Sequence, residues 1–125
     1  MGTSGDVKMR VLAFEDSYDI EALLSAGNID TSQFTIEQKW NSEDAVSVIK
    51  EFAPDILLLD HFMPPMKGLD VLKAVLLAVE KEELMRPKMI VGISSAGFAN
   101  RAMLNAGADL TTAKFNLATL EIWSE

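Results

Sequence analysis

"LLLDHFMPPMKGLD", residues 57–70, is the stretch whose reading decides the fold. It closes an uninterrupted apolar run, "DILLLD" (55–60), of the kind found in a strand covered on both faces. The run ends in a carboxylate, Asp60, and two prolines and a glycine follow within eight residues. Beyond Gly68, "GLDVLKAVLLAVEKEELM" (68–85) carries apolar residues at helical spacing. The order is therefore buried strand, stiff acidic turn, helix. Two readings of Asp60 stand open here: a cap for the turn, or a reactive group at a sheet's rim.

The same alternation runs outward in both directions. "MRVLAF" (9–14) is strand-like, and "SYDIEALLSAG" (17–27) is a helix, with Ser17 as its N-cap and Gly27 as its stop. "QFTIEQKW" (33–40) alternates as a half-buried strand does, and "NSEDAVSVIKEFA" (41–53) is a helix opened by a Ser cap. "KMIVGIS" (88–94) is a second fully apolar strand, followed by a short helix at "FANRAMLNAG" (98–107). "DLTTAK" (109–114) is a weaker strand, and "NLATLEIWSE" (116–125) a last short helix. Five strands alternating with helices specify an α/β fold, a doubly wound parallel sheet with helices on both faces. Ligands of such sheets sit beyond the carboxyl ends of the strands.

Composition narrows the function. A chain of 125 residues, 49% apolar and 24% charged, suits one globular domain. A net charge of −8 argues against a nucleic-acid surface, which needs clustered Lys and Arg. Without cysteine there is no disulfide framework, thiolate metal site or thiol nucleophile, which is compatible with a cytoplasmic setting. No apolar run has the length of a membrane span, and Asp6 breaks the myristoylation pattern that Met1-Gly2 begins. Residues 1–7 read as a flexible leader and 8–125 as a single domain.

The predicted strand ends carry complementary chemistry. Strand 1 ends in Glu15-Asp16, strand 3 in Asp60, strand 4 in Ser94-Ser95 and strand 5 in Lys114. In a parallel sheet these residues share one rim. Each has an ordinary reading: helix cap, helix-dipole partner, turn hydroxyl, solvated lysine. Together, three carboxylates repel unless a cation intervenes, and an all-oxygen set selects a hard ion, Mg²⁺ first, with Mn²⁺ or Ca²⁺ as substitutes. Carboxylate, metal, hydroxyl and ammonium suit phosphoryl transfer. His61, the single histidine, has no second nitrogen or sulfur ligand beside it and is read as non-catalytic.

With these residues in view, the sequence resembles the receiver domains of response regulators in two-component signalling, over roughly 8–125. "DHFMPPMKG" matches the pattern of a phosphoacceptor Asp, two variable residues, Met-Pro and a following Gly. "ED" after strand 1, "SSAG" at strand 4 and "GADLTTAK" leading to strand 5 match in order. The resemblance implies a five-stranded parallel sheet of order 2-1-3-4-5, the flavodoxin-like arrangement. It implies that Asp60 accepts a phosphoryl group from a histidine kinase or a histidine phosphotransfer protein. Mg²⁺ would be held by Asp16, Asp60 and the Phe62 backbone carbonyl, with Glu15 more loosely attached. Ser95, chosen over Ser94 because Ala96 follows, would bond a phosphoryl oxygen. Lys114 would pair first with Asp60 and then with the phosphoryl group. Phe62, Ala96 and Gly97 would flank it, and Phe62 would hinder attack by water.

Three departures accompany the matches. Thr111 stands where the family usually has an aromatic residue in strand 5, and Phe115 follows Lys114 where Pro is favoured, so a trans bond is expected there. The segment between Ser95 and Gly107 is about one helical turn short. The expected function is a phosphorylation-controlled switch with a downstream protein effector, not a multiple-turnover enzyme. The contrasting reading is a pseudo-receiver that binds partners without phosphate. A free-standing phosphatase is disfavoured, since Phe62 stands where a second acid would be needed. No nucleic acid or membrane is an expected partner. A second copy of the chain is one, through the face of strand 5 and the last helix, where Trp123 would lie.

Overall fold

The computed structural model describes residues 8–124; the leader expected over 1–7 and Glu125 lie outside them. Five strands, β1 (Met9–Phe14), β2 (Phe34–Lys39), β3 (Ile56–Leu59), β4 (Met89–Gly92) and β5 (Leu110–Thr111), form one sheet. The order is β2-β1-β3-β4-β5 and all pairings are parallel. The helices are α1 (Ile20–Ala26), α2 (Ala45–Phe52), α3 (Gly68–Glu80) and α4 (Gly97–Ala106). None is long and apolar enough to cross a membrane.

The apolar runs at β1 and β3 supply two cores at once, because successive side chains point to opposite faces. Leu12, Phe14, Leu57 and Leu59 join Ile49, Leu72, Val75 and Met103 beneath α2, α3 and α4. Val11, Ala13 and Leu58 join Ile20, Leu24, Leu117 and Trp123 on the α1 face. β2 lies at one edge and is only half-buried, as its alternation predicts.

Several boundaries differ from the sequence reading, each for a local reason. α1 begins at Ile20, capped by Asp19, whose side chain accepts from the Ala22 N–H; Ser17 lies ahead in the turn. α2 begins only at Ala45, after Asp44 in a left-handed conformation. Ser42 is no helix cap: its hydroxyl bonds both the Met66 carbonyl (2.6 Å) and the Met66 N–H (2.7 Å). It thus ties the β2–α2 turn to the proline loop. α3 stops at Glu80 rather than 85, where the acids of "EKEE" crowd the negative end of the helix dipole and Glu82 turns to φ 61°. The last helix expected over 116–125 is instead two 3₁₀ turns, Lys114–Thr119 and Glu121–Trp123, parted by extended Leu120. β5 is two residues long, not six.

Trp123 is core rather than surface. It is 5% exposed, packs edge-on against Phe34 at 5.4 Å and donates its indole N–H to the Leu117 carbonyl. It therefore offers no docking face to a second copy of the chain.

Candidate functional site

Ladder hydrogen bonds carry the sheet to its carboxyl rim. The Asp60 N–H donates to the Phe14 carbonyl at 3.0 Å and the Ile93 N–H to the Leu59 carbonyl at 2.9 Å. Asp60 thus leaves the central strand with little freedom. The turn behind it is fixed by Gly68, whose N–H donates to the His61 carbonyl at 2.8 Å. A Cβ on Gly68 would run into the Asp60 carbonyl and lie 2.8 Å from its carbon, so the glycine of "MPPMKG" is demanded by space. His61 takes the same carbonyl's other bond, from Met63, and gives its own N–H to Asp60 Oδ1 at 2.9 Å.

One open cleft of about 500 Å³ is lined by Asp16, Ser17, Asp60, Phe62, Ser94, Ser95, Ala96 and Lys114. Glu15, Asp16 and Asp60 bring carboxylate oxygens within 4.8 Å of one another. Lys114 Nζ stands 3.0 Å from Glu15 and 3.6 Å from Asp60, beneath the Tyr18 ring at 5.1 Å. Burial pushes the Asp60 carboxyl up to about 6, the charge of Glu15 adding to it and Lys114 opposing it. Burial alone would lower the Lys114 ammonium, but its bond to Glu15 and the charge of Asp60 outweigh that and hold it above the usual lysine range.

The two acids of "ED" divide their work. Glu15 is fully buried, and its Oε2 accepts from the N–H groups of Ser17 (2.9 Å) and Tyr18 (3.0 Å) and from Lys114. Asp16 lines the cleft and is bonded through its side chain to the Ser17 hydroxyl. Ser94 is buried, its hydroxyl accepting from the Ala96 N–H at 3.1 Å, while Ser95 is exposed at the cleft wall. The donor set fits a hard cation: three carboxylates in reach of each other and a Phe62 carbonyl that no donor among the described residues reaches.

Other expected residues fall elsewhere. Gly97 opens α4 and is not among the residues lining the cleft. Thr111 pairs with Gly92 and packs its methyl over that glycine, where a Cβ would lie 3.1 Å away, so its side chain is engaged inside the sheet. The cis bond among the described residues is Pro64–Pro65, and Lys114–Phe115 is trans. Phe115 is exposed and meets Tyr18 edge-on at 5.0 Å. His61 turns its ring from the cleft into a crease with Phe98, Leu69 and Asp70, where burial and then Lys67 hold it below the usual imidazole range.

Two residues that the sequence reading passed over brace the turns around the cleft. Gln38 of β2 makes three hydrogen bonds to the β1–α1 turn. Asn100 of α4 accepts from the Ser94 N–H (3.1 Å) and donates to the carbonyls of Ser94 (2.8 Å) and Thr112 (3.2 Å). A carboxamide that grips backbone far away in sequence leaves no periodic signal; only their polar position on a strand or helix facing the rim hinted at it.

A doubly wound sheet of this order, with acids at β1 and β3, a hydroxyl at β4 and a lysine after β5, is the arrangement that response-regulator receiver domains share. The comparisons agree. The receiver domain of the histidine kinase CKI1 from Arabidopsis thaliana superposes with a TM-score of 0.70 at 20% identity, covering 97% of this chain and 94% of that one. The response regulator domain of Thermotoga maritima CheB gives 0.63 at 25% identity, over 86% and 79% of the two chains. The chain is 33% identical over 114 residues to the protein-glutamate methylesterase/protein-glutamine glutaminase of Agrobacterium fabrum, covering 90% of this chain and 27% of that protein. The counterpart from Caulobacter vibrioides is 30% identical over 115 residues, 91% and 29%. The chain therefore spans under a third of the length of these curated relatives. No protein-family model matches it. The chain has the fold of the response-regulator receiver domains it superposes on.

Proposed function

We propose that Asp60 is the phosphoacceptor and that its phosphorylation, with Mg²⁺ as cofactor, switches affinity for a protein effector. The observation that carries this is the convergence of Asp60 with two further carboxylates and Lys114 at the strand ends. An ionised Asp60 oxygen attacks phosphorus and the P–N bond of a phosphohistidine breaks; with its other ring nitrogen already protonated, the imidazole leaves neutral. Asp16, Asp60 and the Phe62 carbonyl would hold the ion, with Glu15 behind them. Bound there, Mg²⁺ would offset the crowded negative charge and that of the transferring oxygens. Lys114, already between Glu15 and Asp60, is placed to pair with the phosphoryl group once Asp60's charge has moved outward onto it. The Ser95 hydroxyl, exposed on the facing wall, is the donor for a phosphoryl oxygen, and Ala96 leaves the approach clear. A histidine kinase or histidine phosphotransfer protein is the donor class.

The test uses acetyl phosphate with Mg²⁺ and intact-mass measurement. A single phosphoryl adduct is expected, absent from Asp60→Ala. No adduct, or an adduct that persists in Asp60→Ala, overturns the assignment, and the first outcome favours phosphate-independent binding instead.

A further inference from the structure

The acidic wall of the cleft is held by a residue that lies on neither acidic strand. Gln38 is on β2, opposite Ala13 in register. Its Nε2 donates to the Glu15 carbonyl at 2.9 Å and to the Tyr18 carbonyl at 2.8 Å. Its Oε1 accepts from the Ile20 N–H at 2.8 Å. Both amide protons are thus used, and the oxygen satisfies the first orphan donor of α1. The two gripped carbonyls bracket Asp16, whose own side chain is bonded only to the neighbouring Ser17 hydroxyl. Asp16 is therefore positioned through its backbone, and that backbone is fastened to β2.

The need for such fastening follows from charge. Three carboxylates whose oxygens come within 4.8 Å repel, and only one lysine stands among them. Glu15 cannot yield, being fully buried and anchored to Lys114. Asp60 cannot yield, being set in the sheet. The turn carrying Asp16 is the most open of the three: the Glu15 carboxylate holds its Ser17 and Tyr18 N–H groups, and Gln38 holds the Glu15 and Tyr18 carbonyls on either side of Asp16. Every degree of freedom left to it then must be removed on binding, which weakens binding.

We propose that Gln38 is a positioning residue that pre-organises the β1–α1 turn for a divalent cation. This rests on the reading that the acidic cluster takes Mg²⁺. Removing the amide loosens Asp16 without touching Asp60, Ser95 or Lys114, so the loss falls on metal affinity and not on the transfer step once metal is saturating.

The experiment measures Mg²⁺ binding calorimetrically for the wild type, Gln38→Met and Gln38→Asn, with thermal melts as a check on folding. Phosphorylation by acetyl phosphate is followed in parallel across Mg²⁺ concentrations. Gln38→Met, nearly isosteric but without the amide, should raise the Mg²⁺ Kd about tenfold, with the rate at saturating Mg²⁺ within about twofold of wild type. Gln38→Asn, which cannot reach all three partners, should fall between, and it carries the test if the Met variant does not fold. Wild-type affinity in a folded variant overturns the proposal. So does a rate at saturating Mg²⁺ that falls as far as the affinity, since that marks a general structural defect. A wild type that binds no Mg²⁺ instead overturns the reading of the cluster itself.

Discussion

Asp60→Asn should make the metal-free protein more stable at neutral pH, and the gain should vanish in acid. The carboxyl is buried beside Glu15 and is raised from 3.8 to about 6 despite Lys114. Between those values the native state keeps a proton that the unfolded chain has released. Native protein then binds more protons, so stability falls as pH rises through this window and the full cost is present above about 6. A shift of roughly two units corresponds to ~3 kcal/mol at 1.36 kcal/mol per unit. The open side of the cleft admits solvent, which screens the charge and brings the expected gain to ~1–2 kcal/mol. For a domain of this size that is about 3–8 °C in Tm. Asparagine keeps the Oδ1 that accepts from the His61 N–H, so the local turn survives. Melts of both proteins in chelator, from pH 4 to 7.5, check the reasoning. The offset should be near zero at pH 4, grow to pH 6 and level off. Added Mg²⁺ should then stabilise the wild type and not the variant. An offset independent of pH, or a variant less stable at pH 7.5, would refute the account of a strained acidic cluster.

Two further substitutions probe the loop after the acceptor. Gly68→Ala should lower the urea midpoint by the equivalent of ~1–3 kcal/mol, because a Cβ there meets the Asp60 and His61 backbone. A midpoint equal to or above wild type would mean that alanine's helix propensity outweighs the crowding. Phe62 is 52% exposed and lines the cleft, where on the proposed phosphoacceptor reading its ring would hinder water. Phe62→Asn should therefore shorten the lifetime of the aspartyl phosphate about threefold or more, ~0.7 kcal/mol of barrier. An equal or longer lifetime, read from the decay of the phosphorylated mass, would reject that role.

What the sequence disclosed and what it hid follow from range. β3 and β4 were legible because burial on both faces demands unbroken apolar runs, and the parallel sheet follows from their alternation with helices, whereas the strand order rested on the family resemblance. That the carboxylates, both serines and Lys114 share one rim was legible because each directly follows a strand-like run that ends there. The chain's end misled for a definable reason. Leu117, Leu120 and Trp123 recur every three residues, the 3₁₀ repeat, and the Trp123 indole bonds Leu117 across that spacing. Ser42 looked like a helix cap because that is what a serine before an acidic first turn commonly does. Its true partner, Met66, is 24 residues away. Gln38 and Asn100 escaped for the same reason: their partners are backbone groups supplied by other elements.

The altered positions in strand 5 acquire a physical meaning from Asn100. With Thr111 turned onto Gly92 and Phe115 spread against Tyr18, no aromatic side chain from β5 stands behind the hydroxyl wall. Asn100 fills that connection with hydrogen bonds instead, holding both backbone groups of Ser94 and the Thr112 carbonyl. The Ser94–Ala96 turn therefore cannot move toward Asp60 while leaving β5 and α4 where they are. It must either break bonds worth ~0.5–1.5 kcal/mol each or carry α4 and the end of β5 along. The second course is available because β5 is only two residues long, its end held to β4 by the Thr112 N–H on the Gly92 carbonyl. The wall that faces Asp60 and the end of β5 are thus joined through the Asn100 amide.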